Sequence, residues 1–295
     1  MTAPAMLKLH APAKINLGLE ILRRRPDGYH DLNTTFASLA LFDTVILTLR
    51  SDDKLTLQIA GNDALSAGQD NLCLKAALLL RQAANTPMLG MDIHLTKRIP
   101  TGGGLGGGSA DAAAVLIGAA HLWKQNISPE TLHRLGLMLG SDVPFFLEGG
   151  VAHATGRGEV LLPDSITLPW WVLLVNPGIH VPTPWAFRAV NRTTERAATN
   201  IMALLRDGVA NPVILRDRMV NDFEEIVMLE HPAIGQIKAE LYAAGAAFAL
   251  MSGSGSTLFG LFPTQEAANA ASTHFLEYWT AVVRFHRGGI VVEEG

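Results

Sequence analysis

Pro100-Thr101-Gly102-Gly103-Gly104-Leu105-Gly106-Gly107-Gly108-Ser109-Ala110-Asp111-Ala112-Ala113 sets six glycines in seven residues directly before an alanine-rich run. Glycine loses the most backbone entropy on folding, so such a cluster is disfavoured unless main chain must go where side chains do not fit. The need suggested here is the approach of several backbone N–H groups to an anion. Ser109 is placed to cap the helix predicted to follow, whose free N–H groups and dipole add positive character at the same point. The stretch predicts a phosphate cradle.

A flexible linker would be polar on both sides. Upstream, however, Met91, Ile93 and Leu95 alternate as on a half-buried strand, and downstream Ala112 to Leu122 reads as a buried helix. A glycine turn made for packing alone remains the bland alternative. The loop contains G-x-G-x-x-G at Gly102, Gly104 and Gly107. A dinucleotide fold would want an acidic residue ending the next strand about 20 residues on, where Ser128-Pro129-Glu130 instead opens another helix. A Walker loop needs a lysine after its last glycine, and protein kinases carry HRD and DFG signatures; this chain has neither. The loop belongs to another lineage of phosphate binders.

With 295 residues, 48% of them hydrophobic and 17% charged, the chain has material for two modest domains sharing a cleft and little for disorder. A net charge of -4 argues against a nucleic-acid surface, and Arg23-Arg24-Arg25 reads as the solvated end of a strand. The single cysteine, Cys73, excludes an internal disulfide or a cysteine-rich zinc site and fits a reducing cytoplasm. No histidine spacing suggests a metal site, so no protein metal ligands are expected. Lys8, His10 and Lys14 interrupt any N-terminal leader-like stretch, and no apolar run approaches the roughly 20 residues that span a bilayer.

From Leu7 to Ile21 the chain alternates: Leu7, Leu9, Ile15, Leu17, Leu19 and Ile21 on one face, Lys8, His10, Lys14, Asn16 and Glu20 on the other. Pro12 predicts a bend. Lys14 and Asn16, two apart, look into the same space. A loop follows at Arg25-Pro26-Asp27-Gly28-Tyr29-His30-Asp31, then a hairpin of 44–49 with 55–59. A helix is predicted over 71–84, a strand over 91–97, and a helix from Ser128-Pro129 to Gly140. Ser141-Asp142-Val143-Pro144 reads as a loop, with Pro144 keeping Val143 out of helix. The domain boundary is placed near Pro163, giving units 1–162 and 163–295. The second unit shows strands at 170–176 and 257–262, helices near 184–206, 217–228 and 232–244, and a tight Ser252-Gly253-Ser254-Gly255-Ser256 turn between apolar runs.

In this order, Pro12-Ala13-Lys14-Ile15-Asn16-Leu17, the glycine loop and the late Ser/Gly turn resemble the motifs of the GHMP small-molecule kinase superfamily. Asp27-Gly28-Tyr29-His30, Leu139-Gly140-Ser141-Asp142-Val143-Pro144-Phe145-Phe146, Thr183-Pro184 with Phe187, and Asn221-Asp222-Phe223-Glu224 resemble one branch of it. That branch acts on a cytidine-diphosphate-linked methylerythritol in the non-mevalonate isoprenoid pathway. The resemblance implies an α/β (α+β type) two-domain architecture, with the active site in the inter-domain cleft and a ferredoxin-like C-terminal domain. It implies ATP-dependent phosphorylation of the substrate 2-hydroxyl, with Mg²⁺ carried by the nucleotide.

Lys14 and Asp142 are then the catalytic pair, with Asp142 taking the hydroxyl proton and Lys14 stabilising the alkoxide or orienting Asp142. Pro100, Thr101, Gly102, Gly103, Gly104, Leu105, Gly106, Gly107, Gly108 and Ser109, with Asn71, would hold ATP. Asn16, Tyr29, His30, Thr183 and Phe187 would hold the substrate, Tyr29 as a stacking face and His30 as a hydrogen-bonding ring. The bland alternatives are a snorkelling edge-strand lysine, a turn-forming aspartate, an unremarkable loop Tyr-His pair and a helix-capping Asn71. The family usually reads Gly-Ser-Ser-Asn-Ala-Ala where this chain reads Gly108-Ser109-Ala110-Asp111-Ala112-Ala113, which removes a hydroxyl and places a carboxylate near the phosphate-facing helix start. Another kinase of the superfamily, acting on homoserine or a mevalonate-type alcohol, is the nearest competing reading; a non-catalytic nucleotide-binding module is a more distant one. Nucleic acid and membrane are not expected partners, and the expected state is a monomer or weak homodimer.

Overall fold

Alternating apolar residues at the start of the chain build β1 (Met6–Arg24), which pairs antiparallel with β2 (His30–Leu49). The computed structural model describes residues 5–62, 65–85, 88–192 and 194–293. The apolar residues of β1 do not share one face. Register shifts between Pro12 and Ala13 and between Asn16 and Leu19 re-aim the strand. Leu7 and Leu9 therefore enter one core cluster, Ile15 and Leu17 a second, and Leu19 and Ile21 a third. One long strand thus threads every core of the molecule.

Next come β3 (Leu55–Ala60), α1 (Leu72–Ala83) and β4 (Met91–Thr96). The hairpin predicted for 44–49 with 55–59 does not form, because β4 inserts between, antiparallel to β2 and parallel to β3. Burial explains the exchange: Met91, Ile93 and Leu95 are all buried, whereas β3 is half-exposed and takes the sheet edge. α2 (Gly107–Leu122) and α3 (Pro129–Leu139) follow; Ser128 caps α3 by accepting the Thr131 N–H, and Gly140 ends it. α4 (Val143–Glu148) begins where a loop was expected. Pro144 stands in its first turn, where a missing N–H costs no helical bond.

β5 (Val151–Thr155) and β6 (Val160–Asp164) complete the first half. The second contains β7 (Trp171–Asn176), α5 (Thr183–Val190), α6 (Ile201–Ala210), α7 (Val213–Arg218), α8 (Glu224–Glu230), α9 (Pro232–Ala243), β8 (Phe248–Met251), β9 (Leu258–Phe262), α10 (Gln265–Ser272), β10 (Trp279–Arg284) and β11 (Val291–Glu293). The helix expected near 184–206 is two helices: Asn191 takes a left-handed conformation (φ 44) after α5, and Asn200 caps α6. Position 193, inside that expected span, lies outside the described residues. The helix expected near 217–228 is broken because the Asn221 side chain accepts the Phe223 N–H and turns the chain there.

The first sheet runs β11-β1-β2-β4-β3, with β5 on β2 and β6 on β5; the second is antiparallel in the order β10-β7-β9-β8. The expected division at 162/163 falls within β6, and β11 crosses it by pairing with β1. Alternation assigns the two faces of the second sheet. Val172, Leu174, Leu250 and Phe259 pack towards Ile15, Leu17 and α6, while Leu173, Val175, Ala249 and Met251 pack under α9 and α10. This α/β fold, with its ferredoxin-like second sheet, leaves the middle of β1 at the junction of both halves. No helix among the described residues is long and apolar enough to cross a membrane.

Candidate active site

Lys14 and Asn16 stand at that junction. The Lys14 backbone N–H donates to Leu105 O at 2.9 Å, tying β1 to the glycine loop. Its Nζ donates to Asn16 Oδ1 at 2.8 Å, lies 3.4 Å from Asp142 Oδ2 and sits 4.7 Å above the Phe36 ring centre. Asn16 Nδ2 donates to Thr34 Oγ1 at 2.8 Å, which leaves Oδ1 for the ammonium. Lys14 is only 4% exposed, so the snorkelling reading fails. Asp142 occupies the residue before α4 but makes no capping bond, and its side chain is 33% exposed. Its carboxylate is therefore not spent on the turn. Lys8 and His10, which the alternation put with Lys14, reach Glu293 instead.

The glycine loop enters α2 earlier than expected. Gly106, with φ +72, occupies the cap position, so Ser109 is the third helical residue, and no side chain caps the helix. Gly104, with φ +78, comes so close to the late turn that a Cβ there would lie 2.0 Å from Ser252 O. Ser252 Oγ donates to Gly104 O at 2.8 Å and accepts the Asn16 N–H at 3.2 Å, while the Thr257 N–H donates to Gly103 O at 3.2 Å. The Ser/Gly turn, the loop and β1 are thus stitched together. Thr101 Oγ1 accepts from Asn62 Nδ2, and Leu105 is buried in the second core. Ala110 and Asp111 both turn inward and are buried. Asn71 caps α1: its Oδ1 accepts the Cys73 N–H and its Nδ2 donates to Ser66 O, each at 2.9 Å.

A cavity of about 740 Å³ opens beside Lys14 and Asp142, walled by Gly104, Gly106, Tyr29, His30, Thr183 and Phe187 among others. Pro100, Thr101, Gly102, Gly103, Leu105, Gly107, Gly108, Ser109 and Asn71 do not line it. His30 stacks on Phe187 (centroids 4.9 Å apart, rings at 14°), and Phe187 meets Phe223 edge-on. Burial, and then the nearby Arg24, lower the His30 pKa, which favours the neutral ring with one donor and one acceptor nitrogen. Tyr29 is 54% exposed, with the Arg157 guanidinium 4.6 Å from its ring centre. Thr183 Oγ1 and Ser254 Oγ share a hydrogen bond of 2.9 Å.

Sequence reasoning missed the cavity's cations. Arg24, taken as a solvated strand end, lines it, as do Arg157, Arg188 and Arg192. The signal for Arg157 was its position between Gly156 and Gly158, both with positive φ at a strand-to-strand turn; the other arginines carry no local mark. Among the described residues no three His, Cys, Asp or Glu side chains converge as metal ligands would.

The pattern "GHMP kinases N terminal domain" matches residues 71–150, and "GHMP kinases C terminal" matches residues 201–281. The 4-diphosphocytidyl-2-C-methyl-D-erythritol kinase of Geobacter metallireducens is 42% identical over 281 residues, covering 94% of this chain and 98% of that one. The enzyme of the same name from Salinibacter ruber is 43% identical, covering 88% and 92%. A crystal structure of 4-(cytidine 5'-diphospho)-2C-methyl-D-erythritol kinase superposes with a TM-score of 0.78 at 36% identity, over 94% of this chain and 99% of that one. A homoserine kinase from Cytophaga hutchinsonii, at 20% identity and TM-score 0.76, shares the fold. The chain belongs to the GHMP kinases and, within them, to the 4-diphosphocytidyl-2-C-methyl-D-erythritol kinase family.

Proposed function

We propose that this protein transfers the γ-phosphoryl group of MgATP to the 2-hydroxyl of 4-diphosphocytidyl-2-C-methyl-D-erythritol, giving the 2-phosphate and ADP. The observation that carries this reading is the Lys14–Asp142 pair, standing where the glycine loop meets a cavity walled by aromatic rings and arginines. Phosphoryl transfer asks a protein chiefly to position its reactants and to neutralise charge. In this reading Asp142 accepts the hydroxyl proton as the new O–P bond forms and the bond from the γ-phosphorus to the bridging oxygen breaks. Lys14, held by Asn16, stabilises the alkoxide that develops. Pro100 leads into the loop, the N–H groups of residues 101–108 and of Ser109 hold the triphosphate, and the N-terminus of α1 at Asn71 borders the nucleoside.

The His30–Phe187 stack and Tyr29 take the cytosine, with Thr183 and Asn16 along the same wall. Arg24, Arg157 and Arg188 face the substrate diphosphate. A site for homoserine would have no use for so large an aromatic cavity. Mg²⁺ enters with the nucleotide, and we assign the protein to the cytoplasm as a monomer or weak homodimer, with domains 1–162 and 163–295. The test is a coupled assay of ADP release with the cytidine substrate, mevalonate and homoserine in parallel. Turnover is expected with the first alone; turnover with either of the others and none with the first would overturn the reading.

A further inference from the structure

Behind the glycine loop lie three charged side chains that the proposed reaction does not use. Lys97 just past β4, Asp43 on β2 and Asp111 on α2 are all buried. Lys97 Nζ donates to Asp111 Oδ2 at 2.7 Å and to Asp43 Oδ2. Asp43 Oδ1 accepts the backbone N–H groups of Arg98 (2.5 Å) and Ile99 (2.9 Å), the residues that lead into the loop. The same ammonium lies 3.1 Å from where a Cβ on Gly107, the first residue of α2, would stand. A buried ion cluster is a poor source of stability, since well-packed apolar residues often do as well. This one ties the residues that enter the loop to the fifth residue of α2, with the ammonium close against Gly107.

We propose that the Asp43–Lys97–Asp111 cluster positions the glycine loop, and that the charge this cluster carries sets how strongly the loop holds nucleotide phosphates. This rests on the kinase reading above. With both carboxylates ionised, the cluster carries one net negative charge behind a site for a polyanion; with one proton added it is neutral. Burial pushes Asp111 up to about 7, Lys97 opposing the rise and Asp43 adding to it. Asp111 Oδ1 has no hydrogen-bond partner among the described residues. The groups that face this carboxyl are Lys97 from the end of β4, Asp43 from β2 and the Cys73 thiol from α1. Burial, and then Asp111, push Cys73 well above its ordinary range, and the two carboxylates keep Lys97 protonated despite its burial. The cluster therefore takes up a proton at a higher pH than an isolated aspartate does.

The experiment compares the KM for MgATP of the wild type and Asp111→Asn from pH 6 to pH 8. The ratio of wild-type to variant KM is expected to rise about fivefold across that range, the effect of one charge over roughly 10 Å of partly screened protein. The kcat ratio is expected to stay level. Titration of the nucleotide itself cancels in the ratio, so parallel profiles would overturn the proposal. A second measurement uses the wild type alone: calorimetric titration with MgADP at pH 7.5 in two buffers of different ionisation enthalpy. Net proton uptake on binding is expected, and none would equally overturn it. A wild type that binds MgADP with proton uptake but never phosphorylates the cytidine substrate would sink the substrate assignment and leave the cluster's role standing.

Discussion

Replacing Asp142 by asparagine separates chemistry from architecture, because the two predict effects of different size. The amide keeps the carboxylate's shape and removes its charge, 3.4 Å from the Lys14 ammonium. Lys14 keeps Asn16 Oδ1 at 2.8 Å and the face of Phe36 at 4.7 Å, so its ammonium stays partnered. Asp142 is a third exposed, and solvent screens the lost attraction to about 1 kcal/mol or less. That corresponds to a fall in melting temperature of about 2–4 °C for a chain somewhat smaller than this one. Loss of a general base costs about 10²–10⁴ in rate, or roughly 3–5 kcal/mol of transition-state stabilisation. Turnover is therefore expected to fall by at least a hundredfold, with the melting temperature nearly level and the KM values for both substrates within about threefold. Coupled ADP-release kinetics at saturating MgATP, beside a thermal melt, measure both. Turnover within tenfold of wild type would refute Asp142 as the base. A melting temperature lower by more than about 10 °C would show instead that the carboxylate holds the fold.

Lys14→Met keeps the stem packed on β1 and removes the charge; a turnover loss of about a hundredfold or more is expected with little change in melting temperature, and the reverse pattern would make Lys14 structural. Gly106→Val forces a β-branched residue to φ +72, with its Cβ 2.7 Å from the Phe146 ring. Equilibrium binding should show MgATP affinity lost and, because Gly106 also walls the substrate cavity, a smaller fall in cytidine-substrate affinity, with an unchanged thermal melt separating this from misfolding; retained MgATP affinity would take the triphosphate away from the loop. Tyr29→Leu removes a flat stacking face worth about 1–3 kcal/mol, so the KM for the cytidine substrate should rise roughly 5- to 150-fold while that for MgATP holds. In His30→Ala the preference for the cytidine over the uridine form of the substrate should narrow; an unchanged ratio would take the base away from this ring.

Much of the site was legible because its signals are local. Six crowded glycines have few uses, and a period of two puts Lys14 beside Asn16 wherever the strand goes. What escaped depended on distant partners. Ser109 was expected as a cap, but Gly106 reaches a left-handed conformation and starts α2 before it. Asp111, read as a charge at the phosphate face, turns inward to Lys97. Arg24 ends β1 and Arg157 sits in the turn between β5 and β6, and nothing local to either says that they meet at the cavity.

By itself the sequence determined the α/β class, the crowded glycine loop, the paired Lys14 and Asn16, the Asp142 position and, through joint motifs, the family. These rest on periodicity and on backbone freedom, which neighbouring residues control. Only the tertiary structure decided that β4 displaces β3 from β2, that β1 feeds three cores, and that Lys97 is buried between two carboxylates behind the loop. Such choices are competitions for burial among segments far apart in the chain. The apolar β4 won the sheet interior from the half-exposed β3, and no local pattern records the outcome of that contest.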